Sequence, residues 1–368
     1  MRVVIAGGGT AGHVFPALAL AKELTERHGA SVAFVGTAGG LEADLVPAAG
    51  FPITTVDVRP FERKLSLRAV AAPLWALSSV RRCRPLVVRA GVVVGMGGYV
   101  SAPASLAAIR WRRPLVLHEQ NAVLGLANRA LSRAARTVAL SFGEAARLLP
   151  RRIDTEVTGN PVREEILAVR PDRAALAAEA RSTLRLEAGR ATIVAFGGSQ
   201  GALHLDRAVT DALERLRDRS DLQVVLLTGT AHFEETESRL PRGCPLLVRA
   251  FPFFDRMELA YAVADLVVSR SGATTVAEVT VCGLPSILVP YPYATGRHQE
   301  ANARSLQRAG AAVVIMDDAL NGELLASKVT DLLDDGPRLR AMAERASALG
   351  RPDAAQALAK VVAEAADG

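Results

Sequence analysis

The sequence predicts an α/β protein with two domains, each built on a parallel sheet flanked by helices. Its 368 residues exceed what one hydrophobic core usually supports. Strand-like apolar runs alternate with amphipathic segments, which favours parallel strands joined by helical crossovers. A strand, a glycine-rich turn and a helix begin twice, at "RVVIAGGGTAGH" and at "ATIVAFGGSQGA". Two similar domains in tandem are therefore the simplest interpretation.

The first domain is predicted to span residues 1–162. Strands are expected near "RVVIA", "SVAFVG", "ITTVDV", "GVVVG", "PLVLHE" and "TVALS", with helical stretches between them. Gly159, Asn160 and Pro161 break this pattern before a long helical segment rich in alanine and arginine. We place the domain junction there.

The second domain is predicted over residues 163–340. Its strands are expected near "ATIVAF", "QVVLLTG", "PLLVRA", "DLVVSR", "PSILVP" and "AAVVI". Residues 341–368 read as an alanine-rich helical tail, and its packing back on the first domain is left open.

Composition limits the function classes. A net charge of +6 and a pI of about 9.6 favour anionic partners, whereas 4% aromatic residues argue against a nucleic-acid stacking surface. Cys83, Cys244 and Cys282 are scattered and lack metal-ligand spacing, so we expect a reducing cytoplasm and no metal site. Neither a signal peptide nor an apolar run long enough to span a bilayer is apparent, so export and membrane spanning are not expected.

Gly7, Gly9 and Gly12 form a G-x-G-x-x-G pattern between a strand and a helix, where backbone amides can approach a phosphate. A dinucleotide site also needs an acidic residue at the end of the second strand, but Gly36 and Thr37 stand there, which disfavours a nicotinamide cofactor. A tight turn without a ligand is the alternative.

His13 begins the helix after this loop. The positive end of the helix dipole disfavours the imidazolium form, so the ring is suited to accept a proton as a general base. The alternative is an ordinary polar surface residue.

Two later strands of the first half also end in polar loops. "GVVVGMGGYVSAPAS" offers a second anion cradle, with Ser101 as a candidate helix cap. "PLVLHEQNAVLG" places the polar run His118 to Asn121 where open α/β sheets bind ligands, although such residues are also common in plain loops.

In the second half, "SRSGATTVAE" starts a helix with Glu278 just inside. Glu278 either forms a capping box with Thr275 or receives both hydroxyls of a ribose while the helix N-terminus faces a pyrophosphate. The loop "YPYATGRHQEANA" offers Gln299 and Asn302 to sugar hydroxyls.

A basic and apolar segment runs from Arg59 to Arg84 around Trp75. A helix of this composition can lie on an anionic membrane surface, and the alternative is an ordinary helix packed on the sheet.

Together, "GGTAGHVFPALALA", "GMGGYVSAP", "LHEQN", "GNPVR", "GGSQGA" and "SRSGATTVAE" resemble the MurG family of peptidoglycan glycosyltransferases, in the family's order from about Ala6 to Ala303. The resemblance implies a GT-B fold, with two Rossmann-like domains facing each other across a cleft. It implies inverting transfer of N-acetylglucosamine (GlcNAc) from UDP-GlcNAc to the C4 hydroxyl of the N-acetylmuramoyl (MurNAc) sugar in lipid I, without a metal ion or another cofactor. The enzyme would then be peripheral to the cytoplasmic face of the bacterial plasma membrane, held there by the segment around Trp75.

The resemblance also assigns residues. His13 and Glu278 are the catalytic candidates, and Phe254 is assigned beside the uracil. The other nucleotide-sugar contacts fall on Thr10, Ala11, Gly12, Asn121, Arg163, Ser199, Ala273, Thr274, Thr275, Val276, Ala277 and Gln299. The glycine loops are assigned to the acceptor pyrophosphate, through Gly9, Gly97, Gly98 and Tyr99. His298 before Gln299 departs from some members, which leaves the sugar or ribose contact of that loop open.

Other functions remain open at this point. Another GT-B enzyme that acts on UDP-sugars, such as a glycolipid glycosyltransferase or a UDP-GlcNAc 2-epimerase, has a similar pattern. A non-catalytic nucleotide-sugar binder is a different class, and a nicotinamide dehydrogenase is the most distant alternative.

Overall fold

The computed structural model describes residues 1–58, 78–198 and 201–367. It divides into two compact units. Unit 1 comprises Met1–Arg163 and Arg351–Gly368, and unit 2 comprises Glu164–Gly350.

Unit 1 contains a sheet of seven strands among its described residues, all parallel. The order is β3-β2-β1-β4-β5-β6-β7, with β4 at the centre and β1 beside it. On β1, Val4 pairs with Ala33 of β2 on one side and with Val93 of β4 on the other. The strands are β1 Arg2–Ala6, β2 Ser31–Gly36, β3 Ile53–Thr55, β4 Val92–Gly95, β5 Leu115–Glu119, β6 Thr137–Leu140 and β7 Asp154–Val157.

Helices cover both faces of this sheet, which is why its central strands are buried along their whole length and mostly apolar. Val3 and Ile5 of β1 point to one core and Val4 and Ala6 to the other, since side chains alternate along a strand. The helices are α1 Ala11–His28, α2 Glu42–Ala48, α3 over residues 78–87, α4 Gly98–Arg110 and α5 Leu126–Leu131, with short 3-10 helices at Ser132–Ala134 and Gly143–Leu148.

Unit 2 repeats the arrangement with six parallel strands among its described residues, in the order β10-β9-β8-β11-β12-β13. The strands are β8 Ala191–Phe196, β9 Leu222–Leu227, β10 Leu247–Phe251, β11 Leu266–Ser269, β12 Ser286–Leu288 and β13 Ala312–Val314. The helices are α6 Glu164–Leu167, α7 Arg173–Leu184, α8 Leu203–Arg215, α9 Phe233–Ser238, α10 Met257–Val263, α11 Ala273–Cys282, α12 His298–Arg308, α13 Gly322–Leu333 and α14 Gly336–Leu349, with 3-10 helices at Thr230–His232 and Thr295–Arg297.

The last helix, α15 Ala354–Asp367, belongs to unit 1 and packs against α1. Its Leu358, Val361 and Val362 are buried in the core beside β1, and each such side chain contributes roughly 1.5–3 kcal/mol to folding. The preceding helix α14 packs against α11 and α13 of unit 2. The unit boundary therefore lies at 350/351, ten residues beyond the predicted end of the second domain, because α14 buries its apolar face in unit 2.

Two local features differ from the sequence-based expectations. Strand β7 was not predicted, because its residues "DTEV" are mostly exposed at the edge of the sheet and lack an apolar run. Ser101 does not cap α4, since the helix begins at Gly98 and the Ser101 hydroxyl donates to the Gly98 carbonyl at 3.0 Å. In the described parts of the chain, no helix combines the length and apolar character needed to cross a membrane.

Candidate functional site

The strand order of each sheet reverses at one point, and such switch points form ligand crevices in parallel α/β sheets. The switch point lies between β1 and β4 in unit 1 and between β8 and β11 in unit 2. The loops after these four strands carry most of the predicted site residues. The fold therefore gives each unit one candidate ligand-binding edge.

His13 stands in the first turn of α1, beside two glycine loops. Thr10 Oγ1 lies 2.9 Å from His13 Nδ1, which orients the ring. The other ring nitrogen, Nε2, faces the loop after β4: a Cβ atom built on Gly98 would lie 3.4 Å from it, and one on Gly97 would lie 3.6 Å away. Both glycines have positive φ, so larger residues there would strain the backbone as well as crowd the ring.

Glu119, at the end of β5, organises the next loop and the predicted residue Asn121. Its Oε1 accepts from the Asn121 backbone N–H at 3.1 Å and from the Asn121 side-chain amide at 3.3 Å. Its Oε2 accepts from Gly125 N at 2.8 Å and from Asn128 Nδ2 at 2.9 Å. Asn128 Nδ2 also lies near Gly97, 3.4 Å from a Cβ atom built there, so this network adjoins the His13 site.

A buried carboxylate, Glu42, accepts a hydrogen bond from the glycine loop after β1. Glu42, at the start of α2, is 1% exposed and accepts from Gly9 N at 2.8 Å. The Gly9 N–H is thus directed to Glu42 and is not available to a phosphate. Glu42 also touches the end of β2 near Gly36 and Thr37 but is buried there, so it cannot serve as the ribose-binding acid of a dinucleotide site.

A cavity of about 450 Å³ opens beside this loop, at the ends of β1, β2 and β3. Gly9, Tyr99 and Arg82 line it together with the loop after β2. Tyr99 is 39% exposed. The cavity therefore combines one cation, one carboxylate from Asp57, one phenol and glycine backbone.

His118 is completely buried at the end of β5, and its Nε2 donates to the Gly159 carbonyl at 3.0 Å. Burial lowers the pKa of His118 to about 4, so the ring is neutral in the folded protein. Its role is to join β5 to the "GNP" segment. Arg163, at the end of that segment, stacks on the Phe15 ring of α1 at 4.4 Å from the ring centroid.

In unit 2, helix α11 begins at Ala273, and its N-cap Gly272 offers no side chain. The first turn, containing Ala273 to Val276, therefore offers N–H groups at its N-terminus for an anion. Glu278 lies one turn further along, 6% exposed, and its Oε2 accepts from the Tyr261 hydroxyl at 2.9 Å. The capping box with Thr275 is wrong, because Thr275 lies inside the helix rather than at its N-cap.

Gln299 and Asn302 lie in the first turns of α12 rather than in a loop, and they are tied to Ser271, which follows β11. Ser271 Oγ donates to the Gln299 carbonyl at 2.8 Å, and Asn302 Nδ2 donates to the Ser271 carbonyl at 3.1 Å. The Gln299 side-chain oxygen accepts from Tyr291 N at 2.9 Å, which leaves its amide N–H groups for other contacts. His298 Nδ1 lies 2.8 Å from the Thr295 carbonyl, at the start of α12.

A charged cluster lies beside these loops. Arg270 is 8% exposed, forms an ion pair with Asp317 and donates to the Val289 carbonyl at 3.2 Å. His204 Nδ1 lies 3.1 Å from the other oxygen of the Asp317 carboxylate. Asp206 is fully buried nearby, and neither of its oxygens has a hydrogen-bond partner among the described residues.

The remaining predicted residues lie apart from these loops or outside the described residues. Phe254 follows β10 and packs on Phe251 with ring centroids 6.0 Å apart. Ser199 and the segment around Trp75 lie outside the described residues. Across residues 1–58, 78–198 and 201–367, no three His, Cys, Asp or Glu side chains gather as metal ligands.

Comparison with protein families now gives a decisive observation. Residues 3–140 match the glycosyltransferase family 28 N-terminal domain, and residues 192–358 match the C-terminal domain of the same family. The chain belongs to glycosyltransferase family 28.

Individual relatives of this family 28 glycosyltransferase agree. A protein of Halothermothrix orenii is 41% identical over the full length of both chains and is named UDP-N-acetylglucosamine--N-acetylmuramyl-(pentapeptide) pyrophosphoryl-undecaprenol N-acetylglucosamine transferase. The crystal structure of Acinetobacter baumannii MurG matches 99% of each chain at 31% identity with a TM-score of 0.79. The predicted GT-B fold with two Rossmann-like domains is confirmed.

A UDP-GlcNAc 2-epimerase from Neisseria meningitidis also matches this glycosyltransferase, with a TM-score of 0.70 over 99% of this chain and all of the other. At 14% identity this likeness shows the fold alone.

Several site residues of this family 28 member were not found from the sequence. Glu42 was missed because only the end of β2 was considered as a place for a functional acid. Glu42 lies at the start of the next helix and supports the glycine loop. Asn128 and Tyr261 were missed because their partners, Glu119 and Glu278, lie 9 and 17 residues away along the chain. The one available signal was an unexplained acid in "GTAGGLEADL".

Proposed function

We propose that this glycosyltransferase moves GlcNAc from UDP-GlcNAc to the C4 hydroxyl of MurNAc in undecaprenyl-pyrophosphoryl-MurNAc-pentapeptide, which is lipid I. The product is lipid II, the precursor for peptidoglycan synthesis. The observation that carries the proposal is the full-length, 41% identical relative bearing this activity in its name. The reaction inverts the anomeric carbon and uses neither a metal ion nor another cofactor.

Unit 1 is proposed to bind the acceptor and to supply the base. When His13 Nδ1–H donates to Thr10 Oγ1, Nε2 keeps its lone pair and can take the proton of the C4 hydroxyl. The C4 oxygen then bonds to the anomeric carbon, and the bond from that carbon to the diphosphate breaks. Its electron pair leaves with UDP. The polar cavity beside the glycine loop is proposed to take an anionic acceptor group, with Arg82 as the cation and Tyr99 as a hydroxyl donor, while Asp57 stands in the same lining.

Unit 2 is proposed to bind UDP-GlcNAc. The N-terminus of α11 is placed to stabilise the diphosphate as its charge grows, because the helix starts without a side-chain cap. Glu278 is held by Tyr261 and is suited to accept the ribose hydroxyls. Gln299 has amide N–H groups for the sugar, and Phe254 offers a ring beside the uracil.

The acceptor's lipid requires access to a membrane surface. Leu106 and Ile109 of α4 are 41% and 37% exposed, next to Arg110, which is a composition that suits contact with an anionic leaflet. We assign this role also to the segment around Trp75. The enzyme would thus act as a peripheral protein at the cytoplasmic face of the plasma membrane.

The test is release of UDP from UDP-GlcNAc with and without a lipid I analogue, with identification of the sugar product. Release that depends on the analogue, together with a β-1,4-linked disaccharide, is the expected result. Equal release without acceptor, accompanied by N-acetylmannosamine, would indicate an epimerase and overturn the proposal. Tight UDP-GlcNAc binding without release in either case would indicate a binding protein.

A further inference from the structure

Glu42 is the most buried carboxylate in contact with the His13-bearing loop, and no part of the proposed reaction uses it directly. Its Oε2 accepts from Gly9 N at 2.8 Å. Its Oε1 accepts from Thr37 N at 2.8 Å and from Thr37 Oγ1 at 2.6 Å. Both oxygens therefore act as acceptors, which suits the ionised form.

The hydrogen bonds keep this buried group charged. Burial acts to raise the pKa of Glu42, but the Thr37 hydroxyl and the N–H groups of Gly9 and Thr37 outweigh it and leave the pKa below its ordinary value. The carboxylate is thus a fixed negative charge at neutral pH. It ties the loop after β1 to the loop after β2.

Three glycines make room for the carboxylate. A Cβ atom on Gly8 would lie 2.2 Å from Glu42 Cδ, and one on Gly40 would lie 2.2 Å from Oε2. A Cβ atom on Gly36 would lie 2.5 Å from Glu42 Cγ. These contacts are with a side chain that is itself held at both oxygens, so it cannot move aside without losing its partners. Glycine at these positions is therefore explained by Glu42 rather than by a phosphate.

The same carboxylate leads directly to the proposed base. Gly9 has a φ of +81° and precedes Thr10, whose hydroxyl contacts His13 Nδ1. The bond to Glu42 fixes the Gly8–Gly9 peptide unit and so sets the position of Gly9, the residue before Thr10. We infer that Glu42 is a positioning residue that holds the loop so that Thr10 orients the His13 ring. This inference rests on the proposed function, in which His13 takes the acceptor proton.

The variant that tests it is Glu42→Gln, which keeps the shape but places an amide NH₂ against a backbone N–H. Either Gly9 or Thr37 then loses its acceptor. We expect kcat to fall by roughly 10–100-fold, since a misplacement of about 1 Å can cost about that much. KM for UDP-GlcNAc is expected to stay within about twofold, because unit 2 is unchanged.

A double-mutant cycle with Thr10→Val separates positioning from a general structural role. If Glu42 acts through Thr10, Glu42→Gln lowers kcat in the wild type and has little further effect in the Thr10→Val protein. Equal factors in both backgrounds, an unchanged kcat, or a change confined to KM for UDP-GlcNAc would overturn the inference. If Glu42→Gln does not fold, Thr37→Val, which removes one bond to Glu42, takes its place in the same cycle with a smaller expected loss.

A second readout does not depend on turnover. The ¹⁵N chemical shifts of His13, assigned by their loss in His13→Ala, report which ring nitrogen carries the proton. The wild type is expected to show one dominant tautomer with Nδ1 protonated, and Glu42→Gln a mixture. Identical spectra would overturn the inference. If the wild type shows no acceptor-dependent turnover, the proposed function is refuted. If Glu42→Gln still changes the His13 tautomer in that case, the positioning role stands.

Discussion

The buried carboxyl group of Asp206 makes the stability of unit 2 depend on pH. Burial raises the pKa of Asp206 from its ordinary value of 3.8 to about 7, and the Ala202 backbone amide and the Arg270 charge offset only part of this effect. From about pH 4 to pH 7 the unfolded chain releases this proton while the folded protein keeps it. The free energy of unfolding therefore falls as pH rises. The pKa difference is about 3, and one pKa unit corresponds to about 1.36 kcal/mol. Above pH 7 the buried carboxyl group therefore lowers the free energy of unfolding by about 4 kcal/mol.

Asp206→Asn removes the ionisation and keeps the side-chain shape. At pH 8 we expect the variant to be more stable than the wild type by up to about 4 kcal/mol, and at pH 4 we expect the two to be alike. Urea unfolding followed by circular dichroism at several pH values measures the difference directly.

The matched control is Asp211→Asn, which changes an exposed carboxylate on the same helix α8. Its effect on unfolding should stay within about 0.5 kcal/mol at every pH. An Asp206→Asn protein that is no more stable than the wild type at pH 8, or a stability difference that does not change with pH, would refute the reasoning.

Three further predictions concern both units. Glu278→Gln is expected to raise KM for UDP-GlcNAc by roughly 10–100-fold, because hydrogen bonds to a charged group contribute about 1.5–3 kcal/mol. Tyr261→Phe, which removes the hydroxyl bonded to Glu278, is expected to raise this KM less. Steady-state kinetics at varied UDP-GlcNAc concentration checks both. Because burial lowers the pKa of His118 to about 4, unfolding free energy should fall as pH drops from about 6.5 to about 4, and His118→Asn should flatten that part of the urea-unfolding profile. Gly159→Ala is expected to loosen α15, because the new Cβ atom would lie 2.7 Å from Arg351 Cβ and residue 159 has a φ of +84°. The expected result is faster amide hydrogen exchange confined to α15. Unchanged exchange would contradict the packing argument.

The sequence predicted the two sheets well where strands are buried on both faces. The runs in β1, β4 and β9 are apolar apart from Arg2 and Gln223, since helices cover both sides of a parallel sheet. Strand β7 escaped because its residues are exposed at the sheet edge and their pairing depends on β6 rather than on their own composition. The boundary at 350/351 depends on tertiary packing of α14 and could not be read locally.

The candidate site was predictable in its loops and not in its supports. Glycine turns follow β1, β4, β8 and β11, which are the strands on either side of the two switch points, and such points form ligand crevices in parallel sheets. Glu119 and Glu278 have partners in other elements, Asn128 and Tyr261, and no spacing rule links them. Glycine was also ambiguous: the pattern of Gly7, Gly9 and Gly12 suggested close approach to a phosphate, whereas the Gly9 N–H is bonded to Glu42 and the neighbouring Gly8 makes room for that side chain.

The single-turnover rate of His13→Ala at saturating UDP-GlcNAc, with a lipid I analogue as acceptor, tests the central claim most directly. We predict transfer slowed by about 10²–10⁴-fold, the range expected for loss of general-base catalysis, while UDP-GlcNAc binds the variant as it binds the wild type. A transfer rate equal to that of the wild type would contradict the assignment of His13 as the base.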